Sequence, residues 1–487
     1  MIQTPDLLLE NQQLREENHN HQLQIQKLQE QVNKLLRQIF GQSSEKFILS
    51  KNPETQQAEL GFSVETLPVP EFKTQTITYD RKVKTEKNNH KGRLPIPDHF
   101  ERVDIIVEPK EDVTGMVKIG EEITEQLECE PGRLYVKRYR RAKYAKPQGE
   151  GVVIGELPSF IIPRGSAGAS LLALIIIQKY VDHLPLYRQI EMFKRMGIII
   201  PPSTMSDWVS MCIKELAPLY EALKRKILSA NYLMADETPI KVLDRDKKGK
   251  THLGYYWVYR DPQSGLVLFD YQTGRGSEGP TELLKNFEGY LQSDGYSVYE
   301  KFDKGKITLF HCMAHARRKF TEALDNDQVR AEYVLAEMQK LYDVERICRE
   351  STFAHQQRYE LRQDKSVPVL KELHQWLKEN MDTGSPKSGI RKAVNYSLKR
   401  WEKLMLYASD GMLEIDNNLV ENSIRPVALG KKNYLFAGSH QAAQISAMIY
   451  SLLGTCKLQG VEPFQWLKNV FEVLPDWKAN RIEELLP

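Results

Sequence analysis

Tyr232-Leu233-Met234-Ala235-Asp236-Glu237-Thr238-Pro239 is the stretch on which the reading of this chain turns. An apolar run delivers a carboxylate, Asp236, and the pattern recurs in Gly289-Tyr290-Leu291-Gln292-Ser293-Asp294. Between them, Leu253–Tyr259 and Leu266–Tyr271 alternate as further strands, and Thr281–Phe287 has a helical period. Ile307–Phe310 closes the block as another strand. Adjacent strands would set Asp236 and Asp294 at one end of a shared sheet. Glu237 follows Asp236 directly, but successive strand side chains face opposite ways, so it is read as structural.

Three strands, a helix, a strand, a helix and a strand describe an RNase H-like α/β domain, a mixed sheet covered by helices. Two acids at one sheet end repel as ions unless a cation sits between them. Oxygen-only ligation with open positions suits Mg²⁺, and a pair of ions can clamp both the attacking and the leaving oxygen of a phosphodiester. A third carboxylate is needed. Glu421 is the candidate, in Asp416-Asn417-Asn418-Leu419-Val420-Glu421-Asn422-Ser423-Ile424-Arg425-Pro426, where helical spacing puts Asn417, Asn418 and Arg425 on its face. Surface acids are common, and the three positions alone do not exclude that plainer reading. Ala314 to Ser409 is helical in tendency throughout, with Trp376 and Trp401 as expected core residues.

Upstream, Leu7 to Ile39 fits a heptad with Asn11, Asn18, Ile25, Val32 and Ile39 at a, and Leu7, Leu14, His21, Leu28 and Leu35 at d. β-Branched a with Leu d favours a parallel two-stranded coil, and paired Asn at a fixes its register. A lone amphipathic helix would leave those amides to be satisfied some other way. Ser166–Tyr180 and Leu184–Met196 read as helices. Gly197 ends the second, Pro201-Pro202 turns the chain, and Ser203 is placed to N-cap a third helix that begins with Thr204. This is helix-turn-helix grammar, though a plain helical hairpin shares it.

The expected architecture is α+β and multidomain. A coiled-coil dimerisation helix (1–40) leads through a linker (41–93) to a small basic β-rich module (94–163) and a helical DNA-binding region (164–228). The catalytic core follows in two parts (229–321 and 411–450) around an α-helical insertion (322–410), and a helical segment (451–487) ends the chain.

With 487 residues, 41% hydrophobic and 27% charged, the chain has enough apolar side chain for several cores. No apolar run is long enough to span a bilayer, and the N-terminus lacks the basic-then-apolar order of a signal peptide. A soluble protein of the cytoplasm, associated with the nucleoid, is expected. The 5 cysteines are odd in number and form no CxxC, which supports neither a disulfide framework nor a cysteine zinc site. Lysine and arginine total 68 against 65 acids, so any polyanion-binding surface has to come from clustering. Arg133, Lys137, Arg138, Arg140, Arg141, Lys143 and Lys146 form such a cluster without an intervening acid, suited to phosphate backbones or, more plainly, to a solvated strand face. Arg317, Arg318 and Lys319 follow the strand after Asp294 and are placed to touch DNA together with His315. Lys431 and Lys432 could hold phosphate after the Glu421 helix, although a surface loop reads equally well. His311, Cys312 and His315 lack a fourth ligand nearby, and no glycine pattern cradles a nucleotide.

Several long motifs now point one way. MADETP around Asp236, QSDGYSVY around Asp294, HCMAHARRKF from His311, DNNLVENSIRPVALGKKNYLFAGS from Asp416 and LLGTCKLQGVEPFQWL from Leu452 resemble, in order, the transposases of the insertion sequence 66 family, of the DDE class. Shorter matches, SEKF from Ser44, LPLYRQ from Leu184 and STMSDWV from Ser203, extend the resemblance from the zipper to the C-terminus. It implies a catalytic, metal-holding triad of Asp236, Asp294 and Glu421 using two Mg²⁺ ions, for which Mn²⁺ could substitute. The implied reaction is cleavage at the element ends, freeing a 3′-hydroxyl that attacks target DNA. Implied partners are DNA, a second copy of the chain and small accessory proteins of the element. The DNA contacts would come from Arg133, Lys137, Arg138, Arg140, Arg141, Lys143, Ser203, Thr204, Arg317, Arg318, Lys319, Arg425, Lys431 and Lys432. Family members commonly carry paired CxxC motifs after the zipper; here Pro109–Gly120 and Lys143–Pro147 hold no cysteine, so zinc is not expected. Two rivals stand beside this reading: a non-catalytic coiled-coil, helix-turn-helix regulator, and an RNase H-like nuclease that cuts without joining.

Overall fold

The structure, a computed structural model, describes residues 158–163, 165, 167–243, 250–303 and 305–487, the backbone of 143–145 and 152–154, and His21, Gln24 and Leu134 singly. The heptad run, apart from helical His21 and Gln24, lies outside the described residues, as do the linker and most of the basic module. Chain contacts divide the protein into two compact units, residues 53–157 and the remainder. In the former, β1 (Lys143–Ala145) pairs antiparallel with β2 (Val152–Ile154).

In the larger unit, the stretch from residue 158 to the sheet forms α1 (Ala169–Tyr180), α2 (Leu186–Arg195), α3 (Pro202–Glu215) and α4 (Ala217–Leu228). Gly197, at φ +84°, turns the chain out of α2 as expected. The expected cap at Ser203 is not there. Helix α3 starts at Pro202 with Pro201 in the N-cap position, because proline's fixed φ and missing N–H suit a first helical residue. Ser203 is exposed inside the first turn and Thr204 half-buried beside it.

The sheet contains β3 (Tyr232–Leu243), β4 (Thr251–Asp261), β5 (Leu266–Gln272), β6 (Gly289–Ser293) and β7 (Ile307–His311), in spatial order β5-β4-β3-β6-β7. β3, β4 and β5 form an antiparallel meander, whereas β6 and β7 run parallel to β3. A short helix, α5 (Glu278–Leu283), crosses from β5 to β6. Where a full helix was expected between β6 and β7 there is one 3₁₀ turn, Tyr299–Phe302, whose Tyr299 is fully buried. The strand that begins with the apolar run before Asp236 does not end at that residue either; β3 runs through it to Leu243, 12 residues in all.

Beyond the sheet come α6 (Met313–Ala323) and, over the stretch expected to be an insertion, α7 (Gln328–Glu350), α8 (His355–Leu361), a π-turn (Arg362–Ser366), α9 (Val367–Glu379), α10 (Gly389–Lys399) and α11 (Trp401–Met405). Trp401 is core, 1% exposed. Trp376 is only half-buried and stacks on Tyr333, with ring centroids 5.0 Å apart. The chain returns to the sheet with α12 (Asn418–Tyr434), α13 (His440–Leu458) and α14 (Pro463–Val473).

Helix α13 closes the open edge of the sheet. The hydroxyls of Ser451 and Thr455 accept the N–H groups of Phe269 (2.7 Å) and Val267 (3.3 Å) on edge strand β5. Four residues of helix rise about 6 Å, close to two residues of strand, so the two hydroxyls match alternate donors. Gly454 permits the approach: a Cβ there would stand 2.9 Å from a Val267 methyl. Unpaired strand donors are thereby hidden from other chains.

Candidate active site

Strand register places the aspartates. Met234 pairs with Gln292 across parallel β3 and β6, so Asp236 and Asp294 each lie two residues further along. β6 stops at Ser293 while β3 continues, which leaves Asp236 beside the gap where its neighbour has ended. Asp294 starts the departing loop in an Asx turn, its Oδ1 accepting Tyr296 N–H at 2.8 Å. Gly295 needs to be glycine, with φ +88° and Arg400 2.7 Å from where a Cβ would sit.

Glu421 arrives on the first turn of α12. Arg260 of β4 docks that turn by donating to the Leu419 carbonyl (2.7 Å) and the Ser423 hydroxyl (3.1 Å). Lys431, two to three turns on, donates to Thr238 Oγ1 (2.8 Å) and the Pro239 carbonyl (2.7 Å) of β3. Its ammonium is therefore a staple between helix and sheet, and burial lowers its pKa. Lys432, Asn418 and Arg425 are exposed. Asn417 does not share that exposed face: it is the N-cap, fully buried, and its side-chain amide has no hydrogen-bond partner among the described residues.

Burial is the main cause that pushes the Asp236 carboxyl up to about 8. Glu237 adds to it, Asp294 and Glu421 add further, and the Glu237 N–H at 2.7 Å opposes them. The other two acids named from the sequence thus lie near enough to Asp236 to act on it electrostatically. Glu237, raised by burial, is held by Arg275, whose Nε reaches its Oε1 at 2.9 Å, and by the Tyr299 hydroxyl at 3.3 Å. His315 Nε2 lies 3.8 Å from Glu421 Oε1, so the histidine following β7 does reach the site. Arg317 and Arg318 are on the same helix, and Lys319 pairs with Glu322 at 3.0 Å. His311 is instead buried against Glu300. Among the described residues no three His, Cys, Asp or Glu side chains form a ready-made metal-ligand group.

Sequence reasoning missed two participants. Arg275, in a Gly-Arg-Gly loop, packs on Tyr296 at 4.0 Å and neutralises Glu237 beside the site. The insertion also grips the site: Tyr396 donates to the Asp294 carbonyl (3.0 Å) and Arg400 to that of Gly295 (3.3 Å). On its other side, Arg362 is wholly buried. It donates to Glu345 and to the carbonyls of Tyr407, Asp410 and Leu413, the strap that leads to α12. Arg358 joins Glu345 to Glu414. The Glu414 carbonyl accepts from Gln292, itself bonded to Tyr232, so the strap is tied to both aspartate-bearing strands. The glycine flanks of Arg275 were a readable signal. The insertion contacts had none, since their partners lie far apart in the chain.

The site is thus a group of carboxylates, two from a mixed sheet and one from a helix, gathered about Asp236. The profile described as "Transposase IS66 family" matches residues 164–445, "IS66 C-terminal element" matches 451–487, and "Transposase C of IS166 homeodomain" matches 27–105. The chain belongs to the IS66 transposase family. Similar proteins include "Uncharacterized protein y4qI" of Sinorhizobium fredii, 33% identical over 93% of this chain and 87% of its own length. "Uncharacterized protein y4jD" of the same organism is 31% identical over 98% and 97%. "Uncharacterized protein YuaK" of Escherichia coli is 35% identical over 20% of this chain and 90% of its own. No solved structure matches. Among the described residues no helix is long and apolar enough to cross a membrane.

Proposed function

We propose that this transposase works by DDE chemistry, with Asp236, Asp294 and Glu421 as its catalytic acids. The observation that carries the reading is positional. Asp236 and Asp294 lie at equivalent steps beyond the last paired residues of parallel β3 and β6, and the Glu421 helix is docked at the same end. The sheet order, a three-strand meander extended by two parallel strands from its first member, supports an RNase H-like core.

The donors fit Mg²⁺ in kind, being oxygens only, and Asp236 is a half-buried acid that lacks a counter-charge. Asp236 and Asp294 would hold the metal, and Glu421, one-third exposed, would close the set by turning from His315. Bound Mg²⁺ would activate the attacking oxygen and neutralise the leaving one. The chain's own residues supply position: the Asx turn and Tyr396 fix Asp294, Arg260 fixes the Glu421 turn, and Arg275 keeps Glu237 out of the reaction. DNA is the substrate, held through Arg425, Lys432, the α6 cations, the helical region around Ser203 and Thr204, and the basic run from Arg133 to Lys143. Element-end synapsis implies at least a dimer.

The test is incubation of the purified chain with labelled element-end DNA and Mg²⁺, resolving nicked and joined products. Nicking followed by joining is expected. Nicking alone would favour the nuclease, and binding without any cleavage would favour the regulator.

A further inference from the structure

Helix α12 ends in an unusual way. Leu435, immediately after its last residue, has φ +65° and ψ −41°, and Phe436 N–H bonds back to the Tyr434 carbonyl at 2.7 Å. This is a γ-turn of the rarer, strained hand, centred on a leucine in backbone space where glycine would be at ease. The chain beyond it is locked. Ala437 N–H donates to the Lys241 carbonyl (2.8 Å) and the Ala437 carbonyl accepts Leu243 N–H (2.9 Å), a one-rung parallel bridge to β3. Caught between helix and strand, Leu435 and Phe436 stand 63% and 39% exposed.

Strain of this kind persists where the surroundings impose it, often at ligand clamps. Core packing does not explain it here, because both side chains face outward. Charge indicates what they meet. From Asn422 to Val461 the sequence contains no Asp or Glu, and the exposed face of α12 leading to the turn carries Arg425, Leu429 and Lys432. A cation-bearing helix ending in two outward apolar side chains matches proteins that hold phosphates and press an apolar wedge between base steps, with the aromatic ring as a stacking platform.

We infer that Leu435 and Phe436 form a base-contacting wedge: with duplex DNA laid along α12, Phe436 stacks on an unstacked base and Leu435 fills the opened step. The inference rests on the DNA-processing reading above. Leu435 lies about 21 Å along the helix from Glu421, so the opened step falls about six base pairs from the scissile phosphate.

The experiment uses the full chain without divalent metal and a duplex spanning the junction of element end and flanking DNA. 2-Aminopurine is substituted singly at successive positions out to about ten base pairs from the junction. A several-fold fluorescence rise is expected at one or two neighbouring positions on binding. Phe436→Ala should remove most of the rise at saturating protein, and Phe436→Trp should restore it. Phe436→Leu, which keeps apolar bulk without a ring, serves if the alanine variant does not fold. Lys432→Ala should instead weaken binding and flatten its salt dependence while leaving the rise at saturation. Leu435→Gly should melt no lower than the parent. Binding with no position brightening, or undiminished brightening in Phe436→Ala, would overturn the wedge alone. A dimer that dissociates on Phe436→Ala would assign the patch to a second copy and also overturn it. A chain that binds and unstacks but never cleaves with Mg²⁺ would sink the DDE reading and spare the wedge.

Discussion

Two clusters of acids in this protein are built on opposite principles. In the insertion, Glu345 is fully buried, yet its pKa is lowered: burial alone would raise it, but the hydrogen bonds and charge of Arg362, and then of Arg358, outweigh burial. At the sheet end, Asp236 is half-buried with carboxylates for neighbours and is pushed up to about 8. A structural acid brings its counter-charge in its own chain. An acid left without one marks the place where an outside cation is expected. Arg275 shows the boundary between the two, because it neutralises Glu237 but not the adjacent Asp236.

The largest effect should appear when the sheet-end acids are removed. Asp236→Asn, Asp294→Asn and Glu421→Gln should each lower cleavage by about a thousandfold or more while DNA affinity changes little. Gel assays of products and of binding measure the two separately, and parental cleavage by Glu421→Gln would remove it from the site. Next, Arg362→Ala should cost about 3–5 kcal/mol in urea unfolding, because it strands Glu345 and several carbonyls in the interior. A loss under about 1 kcal/mol would show that the paired cluster is not structural.

pH separates the clusters by sign. The folded-state pKa of Asp236 lies above its unfolded value of 3.8, so in metal-free protein its ionisation removes stability as pH rises from there to about 8, with no further change above. Asp236→Asn should escape this, gaining on the parent by about 1.4 kcal/mol per pH unit across that window. Glu345, with a lowered pKa, contributes stability above its unfolded value of 4.5 and loses it as pH falls through its folded value. Metal-free unfolding curves at several pH values test both directions. The smallest effect belongs where the regions meet: Tyr396→Phe loses its bond to the Asp294 carbonyl, worth about 1 kcal/mol. It should lower kcat a few-fold with KM unchanged, and an altered KM would mean that Tyr396 meets substrate.

Much of this was legible in the residues themselves. Apolar and alternating runs located the five strands of the larger sheet, because each buried strand carries its apolar pattern within its own segment. The acid after each of two apolar runs was likewise a local feature. Glu421 needed its long motif, since nothing local to α12 says that its charge reaches Asp236.

What the sequence by itself determined is therefore what each segment encodes alone: strand character, the two aspartates, the glycine and proline stops, and the family motifs. Only the tertiary structure decided the rest. It set the point at which β6 ends beside Asp236, the start of α3 at Pro202 instead of a cap at Ser203, and the buried setting of Asn417. It also turned Lys431 inward, joined Arg362 to a strap about fifty residues away, and held Leu435 in a turn that leucine alone would avoid. The physical reason is that these features arise where distant segments share hydrogen bonds and exclude water together. No single segment carries a pattern for a partner that reaches it only on folding.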